Sequence, residues 1–330
     1  MKFAHLVLVV WLVLAGFAMT ADGQPGTLKE IRPGVWFREG DQKTFGHCNN
    51  VVIEMKDYLI VVDANYPSGA RALISDVMKV SSKPIKYVID THHHSTHSYG
   101  NPIFTKMGAI TIGHIGMVEE MNRSEPREWQ QVSKRRKDVA ELNLPGPEPP
   151  KQTFRETPYV ISDSSRLVQL HYFGWGHTRG DTFVYLPKER VLCTGDAVPN
   201  GPHNDPANAW IANWPNQVAA AQKLSVAHVL PAHGKPGGKE LLEGQRQFLL
   251  ELYKAVEVAI KSGKTLDQLV TMKNGRPVST SIQLPKSIMD VYVYDEGRPP
   301  KFPTRFATQV MATYLEITQE KPYGEIVGGK

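Results

Sequence analysis

Cysteine is nearly missing from this chain. Only Cys48 and Cys193 occur in 330 residues, so at most one intrachain disulfide can form, and an oxidising compartment would permit that pair without requiring it. Cys193 lies among Val191, Leu192 and Thr194, where a small buried side chain is its simplest role. A second long apolar run is missing too. The one present, Phe3 to Phe17, has a lysine ahead of it and small residues from Ala18 to Gly23 behind it. It reads as a secretory signal over residues 1–23, cut near Ala18 or Gly23, with no cysteine following to accept a lipid. Gly16 interrupts the run, which is slightly short for a membrane span; an uncleaved N-terminal anchor is the alternative, but stable insertion after cleavage is not expected and the mature chain is expected in the periplasm or secreted. Concentrated positive charge is also missing. The formal charge is +5, but lysines and arginines are scattered among almost as many acids. The densest basic run, Lys134 to Lys137, falls in a segment readable as an amphipathic helix from Ser124 to Leu142, with Pro126 in its first turn, and reads as a solvated face. No aromatic residues interleave with it, which argues against nucleic acid as a partner.

What the chain has is crowded histidine. Asp90 to Asn101 reads Asp-Thr-His-His-His-Ser-Thr-His-Ser-Tyr-Gly-Asn, directly after the β-branched run Tyr87-Val88-Ile89, so His92, His94 and His97 sit where a buried strand ends. Imidazoles packed this closely lose solvation and repel one another if protonated, so the cluster favours neutral rings sharing a cation. Three further candidates end apolar runs or sit in Gly-flanked turns. They are His177 in Gly174 to Asp181, Asp196 after Val191-Leu-Cys-Thr-Gly, and His233 in Val229-Leu-Pro-Ala-His-Gly.

In this order, His92-x-His94-x-x-His97, His177, Asp196 and His233, the chain resembles the metallo-β-lactamase-fold hydrolases, which include glyoxalase II, lactonases and zinc β-lactamases. The match covers most of Gly34 to Gly234. The resemblance implies a first zinc held by His92, His94 and His177, and a second held by His97 and His233 with Asp196 bridging. One position departs from the pattern: Thr96 stands where the family has aspartate, a residue that also orients the attacking water. The positions with catalytic weight are therefore Asp196 and Thr96, and because a neutral hydroxyl is a poor ligand the second ion is expected to be held more weakly. Zinc, as one ion or two, is the expected cofactor.

The implied fold is α/β, a four-layer αββα sandwich formed by residues 24–330 as a single domain, with an inserted segment around 117–165 and a helical C-terminal extension from 235. Short strands around Val35, Asn50 and Tyr58, a helix over Ala70 to Val80, and a similar second half after Leu167 fit that expectation. Asp63 ends its strand much as the ligands do and reads as structural, holding a loop beneath the site. The loop Val198 to Trp214 is expected to rim the pocket, with Asn200, Trp210 and Trp214 as substrate-binding candidates. His47, His114, His171 and His228 read as structural, and His203 as a remote possibility for a ligand.

These features point to a hydrolase acting on a small molecule with a lactam, lactone, ester or thioester bond, by way of a zinc-bound hydroxide. The alternatives are a mononuclear iron oxygenase of the sulfur-handling kind within the same fold, and a non-catalytic metal-binding protein. Substrate and oligomeric state are not legible in the sequence.

Overall fold

The computed structural model of the chain describes residues 26–294 and 303–328, so the signal-like stretch lies outside the described residues. Two sheets carry the architecture. The first contains β1 (Leu28–Arg32), β2 (Val35–Arg38), β3 (Asn50–Glu54), β4 (Leu59–Val62), β5 (Ile85–Ile89), β6 (Ile110–His114) and β7 (Gln152–Phe154), side by side in chain order. Its first four strands form antiparallel hairpins, and β4 to β7 run parallel. The switch comes where the helix Pro67–Val77 enters: Pro67 starts it without giving up a needed N–H, and Ala70, Leu73 and Val77 form its buried face. The second sheet contains β8 (Tyr159–Ser162), β9 (Leu167–His171), β10 (Phe183–Leu186), β11 (Val191–Gly195) and β12 (His228–Pro231), again in chain order, with β12 parallel to β11 across the helix Trp214–Ala221.

Alternation along the strands makes this a sandwich. Val51, Ile53, Ile60 and Ile89 of the first sheet meet Val168, Leu170, Val184 and Cys193 of the second. The residues between them, Val52, Leu59, Val61 and Val88, point outward onto Ala70, Leu73 and Phe104. Phe183, Tyr185, Leu192 and Val229 likewise face Val218 and the helix Glu240–Lys261. The layers are therefore αββα, and each fully buried Val, Leu or Ile contributes about 1.5–3 kcal/mol.

Segment 117–165 is more integral than an insertion, because it holds β7, which edges the first sheet, and β8, which edges the second. Its helix runs Ile115–Arg135 rather than from Ser124, with His114 as N-cap accepting from the Gly116 N–H, and Pro126 inside it. Burial of Met117, Met121, Glu125, Trp129 and Val132 along one face outweighs the loss of a hydrogen bond at the proline. The helix stops at Arg136, which is no solvated charge. Its guanidinium lies 3.7 Å over the Tyr66 ring, donates to Asp138, and donates to the Phe45 carbonyl.

The C-terminal extension starts with the long helix Glu240–Lys261, ended by Gly263 at φ +81. It continues through a hairpin of β13 (Val270–Lys273) and β14 (Arg276–Thr280), which sequence patterning missed, to the helices Pro303–Gln319 and Tyr323–Gly328. No helix among the described residues is long and apolar enough to cross a membrane.

Candidate metal centre

The first three histidines occupy the turn that follows β5. His94 precedes the short helix Ser95–Ser98, which returns His97 toward His92. Their ring centroids lie 4.7 Å (His92 to His94) and 4.0 Å (His92 to His97) apart. His177, in the turn between β9 and β10, comes to 4.7 Å from His92 and 4.9 Å from His94. Asp196 leaves β11 through Gly195, where φ is +54 and a Cβ would sit 2.6 Å from Thr91 Oγ1, so glycine is needed for both reasons. His233 follows β12. All six candidates thus meet at one end of the sandwich, from both sheets. Ligand atoms of His92, His94, His177 and Asp196 lie within 4.8 Å of one another, as do those of His97, Asp196 and His233, and Asp196 is common to both groups.

The donor set fits a cation. His92 Nε2, His97 Nε2, His177 Nε2 and Asp196 Oδ1 are buried with no hydrogen-bond partner, and a polar atom left so costs about 1–3 kcal/mol unless an ion satisfies it. The far side of every ring but that of His177 has a hydrogen-bonding neighbour. Thr91 Oγ1, which donates to Asp63, lies 3.1 Å from His92 Nδ1, and Asp63 Oδ2 lies 3.0 Å from His97 Nδ1. Asn208 Oδ1 is 2.8 Å from His94 Nε2, and Asp181 Oδ1 stands 3.4 Å from His177 Nδ1 without a hydrogen bond; Gln42 Nε2 is 2.8 Å from His233 Nδ1, and turning the amide over would present its oxygen to an Nδ1–H there. Such partners fix the tautomer and the aim of a ligating imidazole. Burial and the neighbouring imidazoles hold His92 well below its usual range, and burial brings His94 down to about 4, so both rings are neutral at pH 7, as ligands must be. At His97 burial also opposes charge, but the carboxylates of Asp196 and Asp63 outweigh it and raise the ring to about 10.

Thr96 is half-buried in the helix Ser95–Ser98 and brings no charge to the second group, whose carboxylate is Asp196 alone. Asp63 serves as a support beneath the site through Thr91 and His97, as its strand-end position suggested. A third grouping of Cys48, Asp63 and His97 shares His97 with the second. Both cysteines are free and buried.

The substrate-binding candidates divide. Trp210 is exposed and stands 5.9 Å from the Trp175 ring. Asn200 stitches two loops, its backbone N–H donating to the His233 carbonyl and its side chain to the Lys235 carbonyl. Trp214 does not rim the pocket. It opens an amphipathic helix on the buried side, 2 % exposed, with its indole N–H donating to the Ala197 carbonyl and its ring 5.2 Å from His177. Among the other histidines, His47 pairs with Ser68 and His171 with Gln169, and the His203 ring lies 5.5 Å from that of His233. Gln42 and Asn208 gave no sequence signal, since neither sits in a motif and each reaches its histidine from a loop distant in the chain.

A family model described as the metallo-beta-lactamase superfamily matches residues 44–237, a span holding all six candidates. A type 2 metallo-beta-lactamase of Bacteroides fragilis is 32 % identical over 114 residues, 33 % of this chain and 44 % of that one. A type 2 enzyme of Bacillus sp. (strain 170) is 24 % identical over 200 residues, 59 % of this chain and 69 % of that one. The chain thus spans less than half the length of the first relative. Among solved structures, a metallo-beta-lactamase from Pontibacter korlensis superposes with TM-score 0.55 at 19 % identity, covering 68 % of this chain and 98 % of that chain. One from Pseudomonas aeruginosa in its mono-zinc form gives 0.54 at 23 % identity, with 69 % and 96 % covered. At these identities the structural likeness speaks for the fold. Taken with the family span and the six converging side chains, the chain belongs to the metallo-beta-lactamase superfamily.

Proposed function

We propose that the protein is a zinc-dependent hydrolase of a small molecule carrying a lactam, lactone, ester or thioester bond, working in the periplasm or outside the cell. The observation that carries the reading is the convergence of neutral His92 and His94 with His177 and Asp196 within 4.8 Å, with unpartnered nitrogens on His92 and His177. Zinc held by three imidazoles lowers the pKa of water to about 7, supplying a nucleophile at neutral pH. The chain's own side chains do the positioning. Thr91 and Asn208 fix the rings of His92 and His94, and Asp63 and Gln42 do the same for His97 and His233. Asp196 places one carboxylate between the two groups, where it can orient a water or accept its proton. With Thr96 in place of a carboxylate, His97, Asp196 and His233 should hold a second ion more loosely than the first. Trp210 and the loop around Asn200 supply the pocket's rim. The exported location is supported by the apolar run Phe3 to Phe17 and the small residues after it.

The test is metal content beside a panel of β-lactam, lactone, ester and thioester substrates. Wild type should hold zinc and turn over at least one class, and His92→Ala should lose both, since a three-ligand site tolerates loss of one ligand poorly. Full metal and turnover in His92→Ala would remove the reading. Iron in protein purified without added zinc would favour oxygenase chemistry, and bound metal without turnover would favour a binding role.

A further inference from the structure

We propose that the C-terminal tail, which lies beyond the family span of residues 44–237, is a working part of the metal centre: it fixes Asn208, and Asn208 fixes the imidazole of His94. The proposal rests on His94 being a ligand, as argued above. Asn208 Oδ1 lies 2.8 Å from His94 Nε2, and its Nδ2 faces Glu120 Oε2 at 3.4 Å. A carboxylate only accepts, so the amide must turn its NH2 toward Glu120 and its oxygen toward His94. The oxygen then requires a hydrogen on Nε2, which leaves Nδ1 as the nitrogen available to a cation. Asn208 is a positioning residue that selects one tautomer of one ligand.

Its own position is set from the tail. The Trp175 indole N–H donates to the Asn208 carbonyl at 2.8 Å, and the Arg179 guanidinium lies 3.9 Å over that indole. Arg179 bridges Glu120, through Nε at 2.8 Å, to Glu325 of the tail at 2.7 Å. Gly324 donates its N–H to the Ala209 carbonyl at 2.9 Å. A Cβ on Gly324 would stand 2.8 Å from the Asn208 backbone and 2.9 Å from the Trp175 ring, so the tail lies on this loop with no room for a side chain. Farther along, Glu316 accepts from the N–H groups of Ile211, Ala212 and Tyr323, tying loop and tail to one carboxylate. Gln309 donates to the Asn204 carbonyl on the other side of Asn208. The loop is thus held on both flanks by residues from outside the family module.

The experiment measures zinc affinity by chelator competition, and the absorption bands of the cobalt-substituted protein, for the full chain and three variants. Asn208→Ala removes the acceptor and should weaken zinc binding by about 10 to 100-fold and shift the cobalt bands. Asn208→Asp keeps an acceptor toward His94 but sets a carboxylate against Glu120, and should bind zinc more tightly than Asn208→Ala and less tightly than wild type. Gly324→Val touches no ligand yet should weaken zinc by pushing Asn208 away. Nitrogen-edited NMR of unaltered protein gives a reading that needs no variant: metal-free His94 should be the Nε2–H tautomer. An Nδ1–H tautomer would overturn the proposal, as would wild-type affinity and spectra in either Asn208→Ala or Gly324→Val. Wild type that binds no zinc at all would remove the metal reading together with this one, whereas unaltered variants of a tightly binding wild type would remove this one alone.

Discussion

Asp63→Asn offers a clean perturbation of the support beneath the cluster. Asp63 sits at φ +65, a left-handed conformation that asparagine also adopts readily, and the two side chains are nearly the same size, so neither backbone nor packing should change. What changes is acceptor count. The buried carboxylate receives the Thr91 N–H and hydroxyl on Oδ1, each at 2.8 Å, and faces His97 Nδ1 from Oδ2 at 3.0 Å. An amide has one oxygen, so if it keeps Thr91 its NH2 confronts the N–H of His97. Loss of one charge-assisted hydrogen bond, together with a donor left unmatched, should lower stability by about 2–4 kcal/mol, measured by urea unfolding of metal-free protein. The aim of His97 is lost with it, so affinity for the second ion should fall by about 10 to 100-fold, or about 1.4–2.7 kcal/mol, while the ion at His92, His94 and His177 is retained. Zinc competition read at two free-metal levels separates the sites. Unchanged unfolding together with an unchanged weaker-site affinity would refute the reasoning.

Three other outcomes are expected. Thr96→Asp adds a carboxylate next to His97 and should tighten the second ion by 10-fold or more, with turnover rising as zinc is titrated; identical titrations for both proteins would show that no ligand is missing. Glu125 is buried beside Tyr99, whose hydroxyl donates to it, and burial with neighbouring Glu128 and Glu120 raises its carboxyl to about 8. Its neutral form therefore stabilises the fold fully below the unfolded value of 4.5, and that contribution is lost as pH rises through about 8. Glu125→Gln should flatten the fall of stability between pH 5 and 8 by up to about 1.4 kcal/mol per pH unit, which unfolding at several pH values checks. Arg166 donates to the carbonyls of Pro33, Gly34 and Glu54 and pairs with Glu189. It ties the sheets together at the strand ends opposite the ligands, so Arg166→Ala should lower stability by about 3–5 kcal/mol without altering zinc affinity.

The candidate ligands were legible because metal chemistry restricts side-chain type, and because they follow the ends of apolar strands or sit in Gly-flanked turns. Asp196 and His233 stood out at the ends of β11 and β12, His177 stood out in a Gly-flanked turn, and strand, helix and strand alternation made the layers readable. Outer supports carry no such mark. Asn208 and Gln42 are ordinary polar loop residues until the fold brings them to His94 and His233. Trp214 was misplaced because a tryptophan in a rim loop and one opening an amphipathic helix look alike until the burial of Gln217, Val218 and Ala221 is known. The start of the helix Ile115–Arg135 was missed because Pro126 reads as a first-turn residue, and only the buried stripe running through it shows otherwise. β1 and the β13–β14 hairpin are largely exposed, so no clear alternation announced them.

Strand order has a consequence for how the molecule is assembled. Every pairing within the two main sheets joins strands that are consecutive in the chain, so each sheet can zip up behind the growing polypeptide from contacts that close only modest loops. The candidate metal centre follows a different rule, drawing His92, His94 and His97 from the first sheet and His177, Asp196 and His233 from the second. It cannot exist in either half, and the loop bearing Asn208 is clamped only when residues 303–328 arrive. Shape is therefore expected to come early and chemistry late: a chain halted just past His233 would own both sheets and all six histidine and aspartate positions, yet lack the hold that sets the first of its sites.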